Sequence, residues 1–389
     1  MKRSSIAIAL SIAFVIGSPW PGEAQQPIRI GATMSQSGVY STQGGPARNG
    51  YLLCQKHVND RGGILGRKIE LLIYDDKSDT PTATGLYEKL IADDKVDLVL
   101  GPYGVLATGA MAVTEKHRKV LLAPLSANPA YWEQGRRYLF MQLPPADLFL
   151  AGLIDMADRH GLKTVALVGE DTAFPKSVVK ATVELAKKHG MTVVLQEEYA
   201  KGNEDFSAIL AKVKATNPDL LAMTSLNLSD FIGFVRQMKE RDVNVKMFGT
   251  TGAVVEFQRA LGSAAEFTYG TSPWEPSVTY PGVKEFVDAF QKEFNTAPSF
   301  HAAGAYAACQ LLMEAVRRAG SLDSDALRDE LLKLKTTTIL NDYAVDERGL
   351  QIANKGLFVQ WQDGKKVVVW PDASASAKPR FPTPTWGQR

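Results

Sequence analysis

The chain is 389 residues long, 45% hydrophobic and 22% charged, with 44 basic against 42 acidic residues. That length favours two domains over one. A net charge of +2 gives no electrostatic case for nucleic acid or an anionic membrane surface as a partner.

At the start, Lys2-Arg3 precede an apolar run from Ile6 to Ile16, broken only by Ser11. Helix breakers follow (Gly17, Pro19, Pro21), then Gly22-Glu23-Ala24. A basic start, a short apolar stretch and small residues before the cut read as a secretory signal peptide over residues 1–24. The stretch falls short of the roughly 20 apolar residues needed to span a bilayer. No cysteine follows it to carry a lipid anchor. The expectation is an exported protein of the periplasm, beginning at Gln25.

Strands are then expected at Ile28 to Met34, Lys68 to Tyr74, Val96 to Leu100 and Val120 to Ala123, with helices between them. Pro46 suits the first turn of a helix ending near Asn59. Such alternation argues for a parallel sheet with helices on both faces. Tyr138 to Leu143, ending in Pro144-Pro145, reads as a crossover. The alternation then restarts, with strands at Thr164 to Val168, Thr192 to Gln196, Leu220 to Thr224 and Val245 to Phe248. A strand at Phe267 to Thr271 and three late helices follow. GLFVQW and KVVVW form a hairpin around Asp363-Gly364. The Pro-, Ala- and Ser-rich residues 371–389 read as a disordered tail. The two cysteines, Cys54 and Cys309, could pair in an oxidising compartment. The preferred expectation is two buried free thiols in separate helices.

Two stretches matter most: VDLVLGPYG, and LLAPLSANP after the next helix. Each is a buried strand that breaks into a loop at a proline. Adjacent parallel strands ending this way place both loops at the carboxyl edge of a sheet, where open α/β sheets bind ligands. Catalytic patterns are missing. The five histidines are scattered without metal-ligand spacing. There is no G-x-S-x-G elbow, Walker motif or G-x-G-x-x-G after the first strand. The expectation is a binding protein with no cofactor and no metal. Asp75-Asp76 with Asp79 reads as a cap for the next helix rather than a calcium loop.

The ordered series IRIGATMSQSGVYSTQGGPARNGYLL, VNDRGGILGRKIELLIYDDKSDT, VDLVLGPYG, LLAPLSANP, NEDFSAILAKVKATNPDLL and PSFHAAGAYAACQLLMEAVRRAGS resembles a known family. This is the branched-chain amino-acid (leucine/isoleucine/valine)-binding family of ABC-transporter substrate-binding proteins. The resemblance runs from about Pro27 to Trp370. It implies an α/β, type I periplasmic-binding-protein fold: two doubly wound parallel-sheet lobes joined by three crossovers, with a ligand cleft at the hinge. The crossovers are expected near Met141, Gly249 and Lys335. The first lobe would be 27–141 plus 250–334, and the second 142–249 plus 335–370.

The resemblance also implies where the ligand sits. Val105 stands where amino-acid binders have a carboxylate-holding Ser. Leu125 and Ala127 stand where they use a backbone carbonyl and a Thr, with Ser126 between. Thr251 stands where they place the acid that pairs with the ligand ammonium. Burying an unpaired ammonium is costly, so a carboxylate, amide or aromatic acid is expected before a conventional branched-chain amino acid. Phe174 replaces a family Tyr, and Tyr103 lies in the cleft loop. Gln43 stands where some members have an aromatic. Trp274, Tyr280 and Phe300 or His301 complete the aromatic candidates. The expected partners are a small-molecule ligand and the permease subunits of an inner-membrane ABC importer, with the binding protein itself monomeric. A sensor of the same fold and an exported α/β enzyme are the rival readings.

Overall fold

The computed structural model describes residues 25–252 and 254–389. The signal peptide expected over residues 1–24 lies outside the described residues. Five short strands run parallel in the first sheet: β1 (Ile28–Met34), β2 (Ile69–Asp75), β3 (Leu98–Leu100), β4 (Leu121–Ala123) and β5 (Leu139–Met141). Their order is β2-β1-β3-β4-β5. Alternate residues face opposite ways along a strand, and both faces here are apolar. Ile28, Ile30, Leu98, Leu100 and Leu122 join one core with helix α1 (Ser41–Asp60). Val99, Leu121, Ala123 and Met141 join the other, against α2 (Thr80–Glu88) and α3 (Ala107–Lys116).

The second sheet repeats this plan. After α4 (Ala151–Arg159) come β6 (Thr164–Glu170), α5 (Ala173–Lys188), β7 (Thr192–Tyr199), α6 (Ser207–Thr216), β8 (Leu220–Thr224), α7 (Leu228–Glu240), β9 (Met247–Thr250), α8 (Val255–Leu261) and β10 (Tyr269–Ser272). The parallel part reads β7-β6-β8-β9-β10, the same order as the first sheet. The chain then returns to the first lobe through α9 (Val283–Phe294), α10 (Phe300–Ala319), α11 (Ser324–Lys333) and the small pair β11 (Thr336–Thr337) and β12 (Asp342–Tyr343). It finally adds the hairpin β13 (Leu357–Gln362) and β14 (Lys365–Trp370) antiparallel to the second sheet.

Several expectations need correction. The second crossover lies beyond Ser272 rather than near Gly249, because β10 pairs with β9 and β13. The third lies near Asn354 rather than Lys335, because Ile339, Leu340, Tyr343 and Val345 pack in the first lobe's core. Helix α1 starts at Ser41, five residues before Pro46, since the Tyr40 carbonyl already accepts from the amides of Gln43 and Gly44. The tail is not loose. Phe381 stacks on His160 with ring centroids 4.0 Å apart, and Trp386 donates to the Val243 carbonyl at 2.8 Å. Its two aromatics anchor a segment whose composition suggests none.

The cysteines are not free. Cys54 on α1 and Cys309 on α10 form a disulfide, with Cα atoms 6.3 Å apart across 255 residues of sequence. The two helices cross closely because Gly50 has no side chain; a Cβ there would lie 2.2 Å from the Ala302 carbonyl oxygen. That approach puts the two sulfurs within bonding reach.

Candidate functional site

In both sheets the strand order reverses beside the first strand of the lobe, β1 or β6. The carboxyl ends of β1 and β3, and of β6 and β8, are therefore the crevices where doubly wound sheets hold ligands. On the first lobe, the loops after β3 and β4 are tied together. Ser126 is 2% exposed and donates its hydroxyl to the Gly104 carbonyl at 2.9 Å. Leu125 is buried in the core. Val105 is 38% exposed, so its side chain faces solvent at this edge. Ala127 packs against the cores of both lobes, and its carbonyl accepts from the Ala146 amide at 2.7 Å. That bond joins the β4 loop to the segment entering the second lobe.

Tyr103 belongs to an aromatic group at the same edge. Its ring centroid lies 5.1 Å from Tyr40 and 5.8 Å from His301. His301 in turn lies 3.8 Å from Phe300. Burial pushes the Tyr103 phenol up to about 12 and the His301 imidazole down to about 3. Both groups are neutral near pH 7, and this surface carries no formal charge from them. Gln43 lies in α1, half-buried, accepting from the Thr42 hydroxyl at 2.7 Å.

On the second lobe, Phe174 meets Phe149 edge-on at 5.2 Å. Thr251 is committed locally: its hydroxyl lies 3.2 Å from the Thr224 hydroxyl, and its amide donates to the Met223 carbonyl. Trp274 is 2% exposed and packs edge-on against Phe286 within the first lobe's core, so its ring is packing rather than an open surface. Tyr280 is half-buried against the same core.

Matching family positions missed an acidic group here. Glu170, at the end of β6, is fully buried. One carboxylate oxygen, Oε2, accepts from the Ser225 hydroxyl at 3.0 Å and the Leu226 amide at 3.2 Å; Oε1 has no partner among the described residues. The one proton of that Ser225 hydroxyl is shared with Asp230, 2.7 Å away, which also accepts from the Tyr199 hydroxyl at 2.9 Å. A carboxylate ending a buried strand at a switch point was the available signal. The Asp75-Asp76-Asp79 cluster divides its work. Asp79 caps α2, accepting from the Thr82 amide at 2.8 Å, as expected. Asp76 is buried and instead accepts from Ser35 at 2.6 Å and Thr33 at 3.0 Å, bracing the loop after β1. Burial holds its carboxyl above the usual range, against those hydrogen bonds.

The family model described as periplasmic binding protein matches residues 27–366. The chain belongs to the periplasmic binding protein family. Among curated relatives of this binding protein is a Leu/Ile/Val-binding protein homolog of Brucella suis. The two are 24% identical, and the match covers 96% of this chain and 98% of the relative. Among solved structures, the fold is similar to the branched-chain amino acid transporter substrate binding protein LivJ from Streptococcus pneumoniae, in complex with isoleucine. There the TM-score is 0.77 at 24% identity, covering 92% of this chain and all (100%) of that one. It is also similar to an ABC-transporter solute binding protein from R. palustris in complex with benzoate, with TM-score 0.75 at 18% identity, covering 91% and 98% of the two chains. These likenesses show the type I periplasmic-binding-protein fold. Among the described residues of this binding protein, no helix is long and apolar enough to cross a membrane.

Proposed function

We propose that this binding protein is the exported, solute-capturing component of an ABC importer. It would close its two lobes on a small organic solute and deliver it, as a monomer in the periplasm, to permease subunits in the inner membrane. The observation that carries this reading is the pair of sheets with the same strand order, whose edges are linked through Ala127. Closure is then ligand-driven: a solute touching both edges favours the closed state by its extra contacts there.

The solute class follows from the side chains at those edges. Val105, Ala127 and Thr251 offer neither a free carboxylate-binding hydroxyl nor an acid. Glu170 is covered by its own loop and bonded to Ser225 and Leu226. Tyr103, His301 and Phe174 are neutral and largely apolar in their surroundings. A carboxylate, amide or aromatic acid, held by backbone amides and ring contacts on loops that Ser126 ties together, suits this surface better than a zwitterionic amino acid. The relatives bracket the choice, one structure holding isoleucine and another benzoate.

Thermal-shift screening of the purified mature protein tests the reading. Aromatic or aliphatic acids are expected to raise the melting temperature, and leucine and valine to leave it unmoved. A large shift with leucine at micromolar concentration would overturn the solute class. A released solute chemically altered by the protein would overturn the binding-protein reading itself.

A further inference from the structure

The first lobe holds a cavity of about 390 Å³ between α1 and the loop joining α9 to α10. Its lining is all from the first lobe: Gln36, in the loop after β1, borders it, but Tyr103, Leu125, Ser126 and Ala127 do not. Its wall combines a charged donor with apolar surface. Arg48 and Asn49 reach it from α1, Ser299 from the start of α10, and Pro46 and Phe290 supply the apolar side. Gly45 borders it with room to spare, since a Cβ built there meets nothing within 4 Å.

Two polar atoms of these lining residues are covered and unpaired. The Nε of Arg48 and the Oγ of Ser299 are buried and have no hydrogen-bond partner among the described residues. Ser299 immediately precedes α10, but its hydroxyl makes no capping bond. A guanidinium is always charged and presents its N–H groups as a planar fork matched to a carboxylate. The covered Nε is itself closed to a solute, so an anion in the cavity would meet the outer Nη groups of the fork, which are not among the covered atoms. One guanidinium offsets one charge, which suits a monoanion better than a phosphate dianion. Phe290 and Pro46 suit a hydrocarbon body attached to that anion.

We propose that this cavity is a second, single-lobe binding site for a small organic monocarboxylate, with Arg48 as its anion clamp. The site needs no lobe closure, so it stands or falls independently of the hinge-cleft reading.

The test follows the Arg48 Nε–H signal by nitrogen–proton NMR in the full mature protein, assigned by its loss in Arg48→Met, with benzoate and inorganic phosphate as probes. Benzoate is expected to move that signal with a dissociation constant of about 1 mM or tighter. In Gly45→Leu, benzoate should move the Arg48 signal with an affinity weaker by about tenfold or more. In Arg48→Met, which lacks that signal, the side-chain amide of Asn49 on the same wall is the reporter, and its benzoate response should weaken by about tenfold or more. Arg48→Lys should retain part of it. Melting temperatures close to that of the unaltered protein show that the variants fold. No movement of the signal up to about 10 mM benzoate overturns the proposal. So does movement by phosphate alone, or benzoate binding that is unchanged in both Arg48→Met and Gly45→Leu.

Discussion

The side-chain amide of Asn354 donates to the backbone carbonyl of Gln142 at 3.1 Å, pinning the third crossover to the first. Gln351 reaches the same carbonyl at 3.3 Å. Asn354 and Gln142 are buried, at 0% and 2% exposure, so these bonds are shielded from competing water. They join two crossover segments that would have to bend together in the proposed closure of the lobes. Asn354→Ala removes one pin and is expected to cost about 1–2 kcal/mol of stability. It should also broaden the lobe arrangement, seen as a larger radius of gyration in small-angle scattering without ligand. An unchanged melting temperature and radius would show that this contact does not restrain the hinge.

The disulfide closes a chain segment of 255 residues between α1 and α10. Cross-linking so long a loop removes freedom mainly from the unfolded chain. Cys54→Ala with Cys309→Ala is expected to lower stability by about 2–4 kcal/mol, read as a lower calorimetric melting temperature. Reductant should lower the melting temperature of the unaltered protein and leave that of the double variant where it is.

Gly50 permits the helix crossing on which that disulfide rests. An added Cβ at 2.2 Å from a carbonyl oxygen meets backbone, which cannot swing aside as a side chain can. Gly50→Ala should therefore destabilise by about 1–3 kcal/mol despite its better helix propensity. Gly45→Ala, in the same helix with open space around it, should be neutral or stabilising. Equal chemical-denaturation midpoints for the two variants would contradict this account of the crossing.

His301 gives a signed acid response. Its native value of about 3, lowered by burial, lies below the ordinary 6.5 expected in the unfolded chain. Between those values the unfolded state binds a proton and the native state does not. Its contribution is therefore present above about pH 6.5 and lost as pH falls towards about 3. His301→Gln should flatten the decline in melting temperature across that window. Parallel profiles for variant and parent would remove His301 as the cause.

Ser126 is the tie between the two first-lobe loops. Ser126→Ala leaves the Gly104 carbonyl without its donor. The expected result is about five-fold weaker ligand binding, as a bond worth about 1 kcal/mol is lost from the loop arrangement. Fluorescence or calorimetric titration with whichever acid scores in the thermal screen measures it.

Much of this protein was legible in order along the chain. Runs such as Ile28 to Met34 and Leu220 to Thr224 are apolar enough to be strands buried on both faces, and the glycines and prolines between them mark turns. Those local signals determined the alternating elements, the two-lobed class and the loops around Tyr103 and Ser126. What the tertiary structure decided is pairing. Nothing in Tyr269–Ser272 states that its neighbours are β9 and β13, so the crossovers were misplaced. Cys54 and Cys309 carry no mark of each other; Gly50 brings their helices together. Glu170 and Arg48 look like ordinary surface charges until folding covers Glu170 completely and leaves a buried, unpaired polar atom on each. Strand character is set by a residue's own neighbours in the chain, whereas contact, burial and unmet hydrogen bonds depend on residues far along it, 55 positions away for Glu170 and Ser225 and 255 for the two cysteines.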